Sequence, residues 1–189
     1  MSGAGAPQDT PTIRTDRYIL RKLVREDAAA LFPSFSDDAM MRWWSCPPFV
    51  SLQALADWLV PASGWEEGRS WAIIDADDPE GLAIGRLAAM DRGDGVSEIA
   101  YLVAAERQGS GVARETLGAL ITHLFAAERR RRLYADVDPD NAPSNRLLET
   151  LGFTLEGRLR EAWTTHLGRR DSLIWGLLDH EWPISRNQE

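Results

Sequence analysis

Val96-Ser97-Glu98-Ile99-Ala100-Tyr101-Leu102-Val103 is followed, four residues on, by Gln108-Gly109-Ser110-Gly111-Val112-Ala113 and then by a run with Leu117, Leu120, Ile121, Leu124 and Phe125. The first stretch reads as a strand, and the 3-4 spacing of the last reads as a helix from about Gly111 to Arg129. A strand that delivers two glycines to a helix start brings unpaired N–H groups and the positive end of the helix dipole to one place, which makes a cradle for a pyrophosphate. Glycine lets a phosphate reach the backbone. A Gly-Ser-Gly turn before a helix is also ordinary loop geometry, so the neighbouring residues have to decide. The dinucleotide fingerprint is excluded because no third glycine follows at its spacing, and the P-loop because Gly-Lys-Ser and Gly-Lys-Thr do not occur.

Upstream, Tyr18 to Leu23 predicts a strand, followed by a helix from Arg25-Glu26-Asp27 through Phe32. Asp37-Asp38 can cap a short helix through Trp44 that Pro47-Pro48 stops, and Ser51 can cap another to about Leu59. Ser70–Asp75 and Leu82–Met90 read as antiparallel strands around the turn residues 77–81, with a second turn at 91–95. Downstream, Leu133–Val137 predicts a returning strand and Asp140-Asn141-Ala142-Pro143-Ser144 the start of a helix ending at Leu151-Gly152. Strand material follows from Phe153 through Trp163 and from Asp171 to Leu178. The order implies an α/β fold of the α+β kind, a mixed sheet flanked by helices. One domain over residues 12–182 is expected, with a flexible tail at 1–11 and a short tail at 183–189.

A net charge of -8 argues against nucleic acid, whose binders need clustered cations to displace phosphate counterions, and favours a cationic or amine-bearing partner. The single cysteine, Cys46, excludes an intrachain disulfide and points to a reducing, cytoplasmic setting. It lies in Trp43-Trp44-Ser45-Cys46-Pro47-Pro48 with no histidine near, so a partly buried thiol is preferred over a nucleophile. His123, His166 and His180 make no metal-ligand spacing, so no metal is expected. Neither a signal segment nor a membrane-length apolar run occurs, so no membrane partner is expected.

Gln108, Gly111 and Ala113 fit Gln-x-x-Gly-x-Ala, and here the chain resembles the GNAT superfamily of N-acetyltransferases. Glu98-Ile99-Ala100-Tyr101 before the loop, Asp140 to Asn145 after it and Leu151-Gly152-Phe153-Thr154-Leu155-Glu156-Gly157 extend the similarity to the RimJ/RimL-type branch, which acetylates protein N-termini and other amines. The resemblance spans about Thr15 to Leu178. It implies a mostly antiparallel central sheet with a splayed strand pair, and acetyl-CoA as co-substrate. The pantetheine arm would pair with the backbone of Tyr101, Leu102 and Val103, and the pyrophosphate would lie on the amides from Gly109 through Arg114, that is Gly109, Ser110, Gly111, Val112, Ala113 and Arg114. Asn141 and Ser144 would lie beside the distal pantetheine and its sulfur.

An amine attacks a thioester only as the free base, so the resemblance makes Glu98 the candidate proton acceptor; a solvated strand carboxylate is the alternative. The Leu102 or Val103 amide could serve the developing oxyanion and Ser144 the departing thiolate. Many members carry a tyrosine where this chain has Leu148, so that role does not transfer; Ser144 can take it or simply cap a helix. Asn141 binds cofactor or starts the helix. Of the eight tryptophans, Trp43, Trp44 and Trp163 are placed on an acceptor pocket wall, with packing as the alternative for each. Trp163 stands where some RimL-like sequences have an acidic residue. The run Arg129 to Arg132 reads as a solvated face complementing the helix dipole, or as a contact for the cofactor's 3′-phosphate. Exposed aromatics leave a homodimer possible. The expected activity is acetyl transfer to a primary amine, on a protein N-terminus or a small molecule, in a ternary complex. A non-catalytic acyl-CoA sensor or interaction module is the alternative.

Overall fold

The computed structural model describes residues 10–61 and 68–183; the tails, apart from their inner ends at Thr10, Pro11 and Pro183, and Trp65 lie outside that range. Eight strands form one sheet in the order β1-β2-β3-β4-β5-β6-β8-β7. They are β1 (Ile13–Arg14), β2 (Tyr18–Lys22), β3 (Gly68–Asp75), β4 (Gly85–Asp91), β5 (Val96–Val103), β6 (Arg132–Val137), β7 (Thr154–Thr165) and β8 (Gly168–Leu178). The helices are α1 (Ala28–Phe35), α2 (Asp38–Met41), α3 (Leu52–Leu59), α4 (Val112–Ala126) and α5 (Ala142–Thr150). All pairings are antiparallel except β5 with β6, which joins Val96 to Arg132, Ser97 to Leu133 and Glu98 to Tyr134 and then stops, although both strands run on. The two strands therefore part beyond Glu98 and Tyr134.

Alternation along the strands feeds two cores. Trp71, Ile73, Leu87, Ile99 and Val103 face α4 and α5, where Leu117, Leu120, Leu124 and Leu148 pack. Ala72 and Leu102, on the opposite face, meet Leu31, Phe35, Met41, Leu55 and Leu59 of α1–α3. Each such leucine, on complete burial, contributes about 2 kcal/mol of transfer free energy. The caps form as their residue types require: the Asp37 side chain accepts from the Met40 amide at 2.8 Å and Ser51 from the Ala54 amide at 3.2 Å. Trp71 and Trp175 are core residues, and the Trp71 indole N–H donates to the Pro11 carbonyl at 2.8 Å, which ties that end of the expected tail to β3.

Several elements differ from expectation. α1 continues past Pro33 to Phe35, because a 3-10 turn over Arg25–Asp27 supplies its entry and the burial of Leu31, Ser34 and Phe35 carries it on. The second helix ends at Met41, and Arg42 to Trp44 form a turn in which the Arg42 guanidinium lies 4.5 Å from the Trp43 ring centroid. α4 stops at Ala126, short of Arg129, which adopts a positive φ of 57°. Arg130, Arg131 and Arg132 pair with Asp91, Asp94 and Glu156 at the C-terminal end of α4. That is the opposite end of the 15-residue helix from the glycine loop, and the ion pairs fit the reading of this run as a face that complements the helix dipole. Among the described residues no helix is long and apolar enough to cross a membrane.

Candidate active site

β5 ends at Val103, and the chain turns through Ala105–Arg107 into α4. Gln108 folds this turn back on itself by donating from Nε2 to the Val103 carbonyl at 3.0 Å, and Ser110 Oγ donates to the Arg107 carbonyl at 2.7 Å. Gly109 and Gly111 take positive φ values of 74° and 84°, which side chains disfavour, and Gly111 caps α4 without a side chain to occupy its first amides. A Cβ at Gly111 would stand 3.2 Å from Nη2 of Arg17. Arg17 donates to the Ser110 carbonyl at 3.1 Å and to Glu115 at 2.7 Å, and so braces the loop from β2's entry. A bare helix start, reached through two glycines in a conformation that side chains disfavour, is the arrangement a diphosphate needs, so these residues fit coenzyme A.

The loop opens on a cleft of about 860 Å³ that runs from the end of β5 to the start of α5. Tyr101, Leu102 and Val103 line it from β5, and Gln108, Gly109, Gly111, Val112, Ala113 and Arg114 from the loop and the first turn of α4. Asn141 and Ser144 close it from the start of α5, and Trp43 and Trp44 from the turn after α2. Ser110 belongs to the loop but not to the lining. The exposed Arg114 guanidinium in the first turn of α4 opposes the helix dipole, a placement that an anion would compensate.

At the far end of the cleft the Tyr101 hydroxyl and Ser144 Oγ lie 2.6 Å apart, bridging the gap. Burial pushes the Tyr101 phenol up to about 12, against the opposing effect of the Ser144 hydrogen bond. Asn141 Oδ1 accepts from the Ser144 amide at 3.3 Å, so this side chain caps α5. The start of α5 and the loop leading into it are anchored from β8. Arg170 forks onto Asp138 at 2.8 and 2.9 Å, and Trp175 Nε1 donates at 2.8 Å to Asn145, whose Nδ2 in turn holds the carbonyls of Asp138, Pro139 and Asn141. Leu148 is fully buried in the core.

Glu98 sits where the strands part but outside the cleft lining, on the sheet face opposite Ile99. Its Oε2 accepts from Arg92 Nη2 at 2.7 Å, from Arg92 Nε at 3.0 Å and from the Tyr134 hydroxyl at 2.9 Å. Trp44 serves both packing and cleft, with its ring 5.8 Å from Phe35 and 6.1 Å from Trp58. Trp163 is not brought to that wall: it lies half exposed on β7, and its indole N–H donates to Asp136 at 2.9 Å. Cys46 is half-buried, and burial pushes its thiol up, as a packing thiol requires. Sequence reasoning did not place Pro33, Asp37, Met40, Glu106 and Arg107 in the cleft wall; only the paired breaks of α1 and α2 hint that these helices stop there.

A model of the acetyltransferase (GNAT) domain matches residues 17–154. The uncharacterized N-acetyltransferase YoaA of Bacillus subtilis (strain 168) is 33% identical over 154 residues, 80% of this chain and 87% of its own. The spermidine N(1)-acetyltransferase of Escherichia coli (strain K12) is 22% identical over 163 residues, 86% of this chain and 87% of its own. Among solved structures, a probable GNAT-family acetyltransferase from Chromobacterium violaceum superposes with a TM-score of 0.83 at 26% identity, covering 96% of this chain and 95% of that one. RimJ of Mycobacterium smegmatis, in complex with CoA-disulfide, does so with 0.75 at 25% identity, over 92% and 88%. The chain belongs to the GNAT acetyltransferase family. It is an acetyl-CoA-dependent N-acetyltransferase, and its mostly antiparallel sheet flanked by helices matches the fold of those structures.

Proposed function

We propose that the protein transfers the acetyl group of acetyl-CoA to a primary amine by direct attack in a ternary complex, with the diphosphate on the first amides of α4 and the thioester beside Tyr101 and Ser144. The observation that carries this reading is the continuity of the cleft from the bare α4 start to the Tyr101–Ser144 bridge. Acetyl-CoA, when bound, supplies the activated acetyl group. Tyr101, Leu102 and Val103 offer the β5 edge as a rail, Glu98 takes the amine proton through water, and the Ser144 hydroxyl meets the sulfur as the C–S bond breaks.

Asp37, Glu106 and Trp43 in the cleft wall suit a cationic acceptor, Arg107 of the same wall being already paired with Asp75. Relatives whose names specify an acceptor include a spermidine acetyltransferase, and the solved neighbours include RimJ, so polyamines and peptide N-termini are the two classes to offer. Thiol release from acetyl-CoA across such a panel tests the reading: selective release with one class identifies the acceptor, whereas no release with any primary amine removes it.

A further inference from the structure

The hydroxyl of Ser144 has one protein partner among the described residues, the phenol of Tyr101. A serine in the first turn of a helix is otherwise a free rotor, and it readily turns back to a main-chain carbonyl of the preceding turn. That alternative is not taken here. A phenol is far more acidic than an aliphatic alcohol, so in a bridge of 2.6 Å the phenol is the natural donor and the serine oxygen the acceptor. Tyr101's ring is packed against the core shared by β5, α4 and α5, which fixes where its oxygen stands.

We infer that Tyr101 is a positioning residue: by donating to Ser144 Oγ it turns the serine's own hydrogen out into the cleft, toward the sulfur of the acyl donor. This rests on the acetyl-CoA reading above and adds a second residue to its leaving-group side. In the transfer the N–C bond forms, the C–S bond breaks and its electron pair goes to sulfur, while the amine proton leaves by Glu98 and water. Tyr101 and Ser144 end as they began, since their part is a hydrogen bond to the developing thiolate. The upward push on the phenol serves this, because Tyr101 stays protonated, and so a donor, throughout the range in which an amine and a thiol titrate.

The test compares binding of coenzyme A with that of desulfo-coenzyme A by calorimetry, from pH 7 to about pH 10, so that the thiol ionises during the series. In the wild type the preference for coenzyme A should grow as the thiolate forms. Tyr101→Phe should cut that preference about tenfold at the alkaline end, the size of one hydrogen bond to an anion, and leave desulfo-coenzyme A binding unchanged. Ser144→Ala should do the same, the double variant no more, and Ser144→Thr should restore part of it. Equal losses for both ligands would mean that the phenol merely supports the wall, and an unchanged ratio would mean that it does not act on sulfur; either overturns the inference. A wild type that binds neither ligand overturns the acetyl-CoA reading itself, a result distinct from both.

Discussion

Glu98 has three hydrogen bonds to spend its charge on before any substrate arrives, two from Arg92 and one from Tyr134. The guanidinium fixes the direction of the carboxylate, while burial and the neighbouring carboxylate push the Tyr134 phenol up, so that Tyr134 remains a donor. A carboxylate held this way accepts a proton best through a water. Glu98→Gln keeps the shape and the donors' partner but removes the charge. Turnover should fall about 100-fold while coenzyme A affinity stays within about twofold, as steady-state rates and calorimetry would show; an undiminished rate would take Glu98 out of the chemistry. The strand period made it legible that Glu98 points away from Ile99. Its bond to Arg92 was hidden, because it depends on the tight turn at 91–95, where Gly93, Asp94 and Gly95 all adopt positive φ. The position of Trp163 was hidden for a related reason: where a strand tryptophan ends up depends on sheet order, and from β7 its indole reaches across β8 to Asp136 of β6 and not to the cleft lining.

At the scale of elements, the cofactor loop was readable because its determinants are contiguous: a strand, two glycines and a helix start. Gly111→Ala imposes a side chain on a φ of 84° and presses it against Arg17, so it should cost about 1–2 kcal/mol of stability by urea unfolding. It should also weaken coenzyme A binding, and a variant that binds as tightly as the wild type would separate the glycine from the cradle. The anchoring of the α5 start was not readable, since Trp175 acts on Asn145 across 30 positions of chain and nothing local announces it. Trp175→Phe keeps the packing and deletes the N–H donor. About 1 kcal/mol of stability should be lost, with a larger proportional loss of kcat than of coenzyme A affinity, because the α5 start that carries Ser144 is loosened while the α4 cradle is intact. Equal losses in both would show that the bond supports the fold as a whole.

On the scale of the whole molecule, the sheet is a partition between two cores, and the site lies where the partition opens. Because β5 and β6 part, the edge there is closed by ion pairs and polar bridges rather than by a strand ladder. Several carboxylates across the molecule titrate low. Burial works against ionisation at Asp138, but Arg170 and the Asp140 amide outweigh it and hold the carboxyl below its usual range. At Glu115 burial is likewise outweighed, by Thr15 and Arg17, and at Glu156 the Arg132 hydrogen bond leads. A carboxyl whose folded pKa is depressed gives stability that is fully present above its unfolded value, about 4, and that is lost as pH falls through the folded one. The urea midpoint should therefore be flat from pH 8 to about pH 5 and drop below that. Asp138→Asn should lower the midpoint at pH 7 by the equivalent of about 2 kcal/mol and make the acid limb shallower, because one of the protons that drives unfolding has been removed from the linkage. If the variant and wild-type curves ran parallel down to pH 3, the Arg170 pair would contribute packing but no charge coupling. The start of α5 would then owe its anchoring to Asn145, Trp175 and the second arm of Arg170 on Asp140.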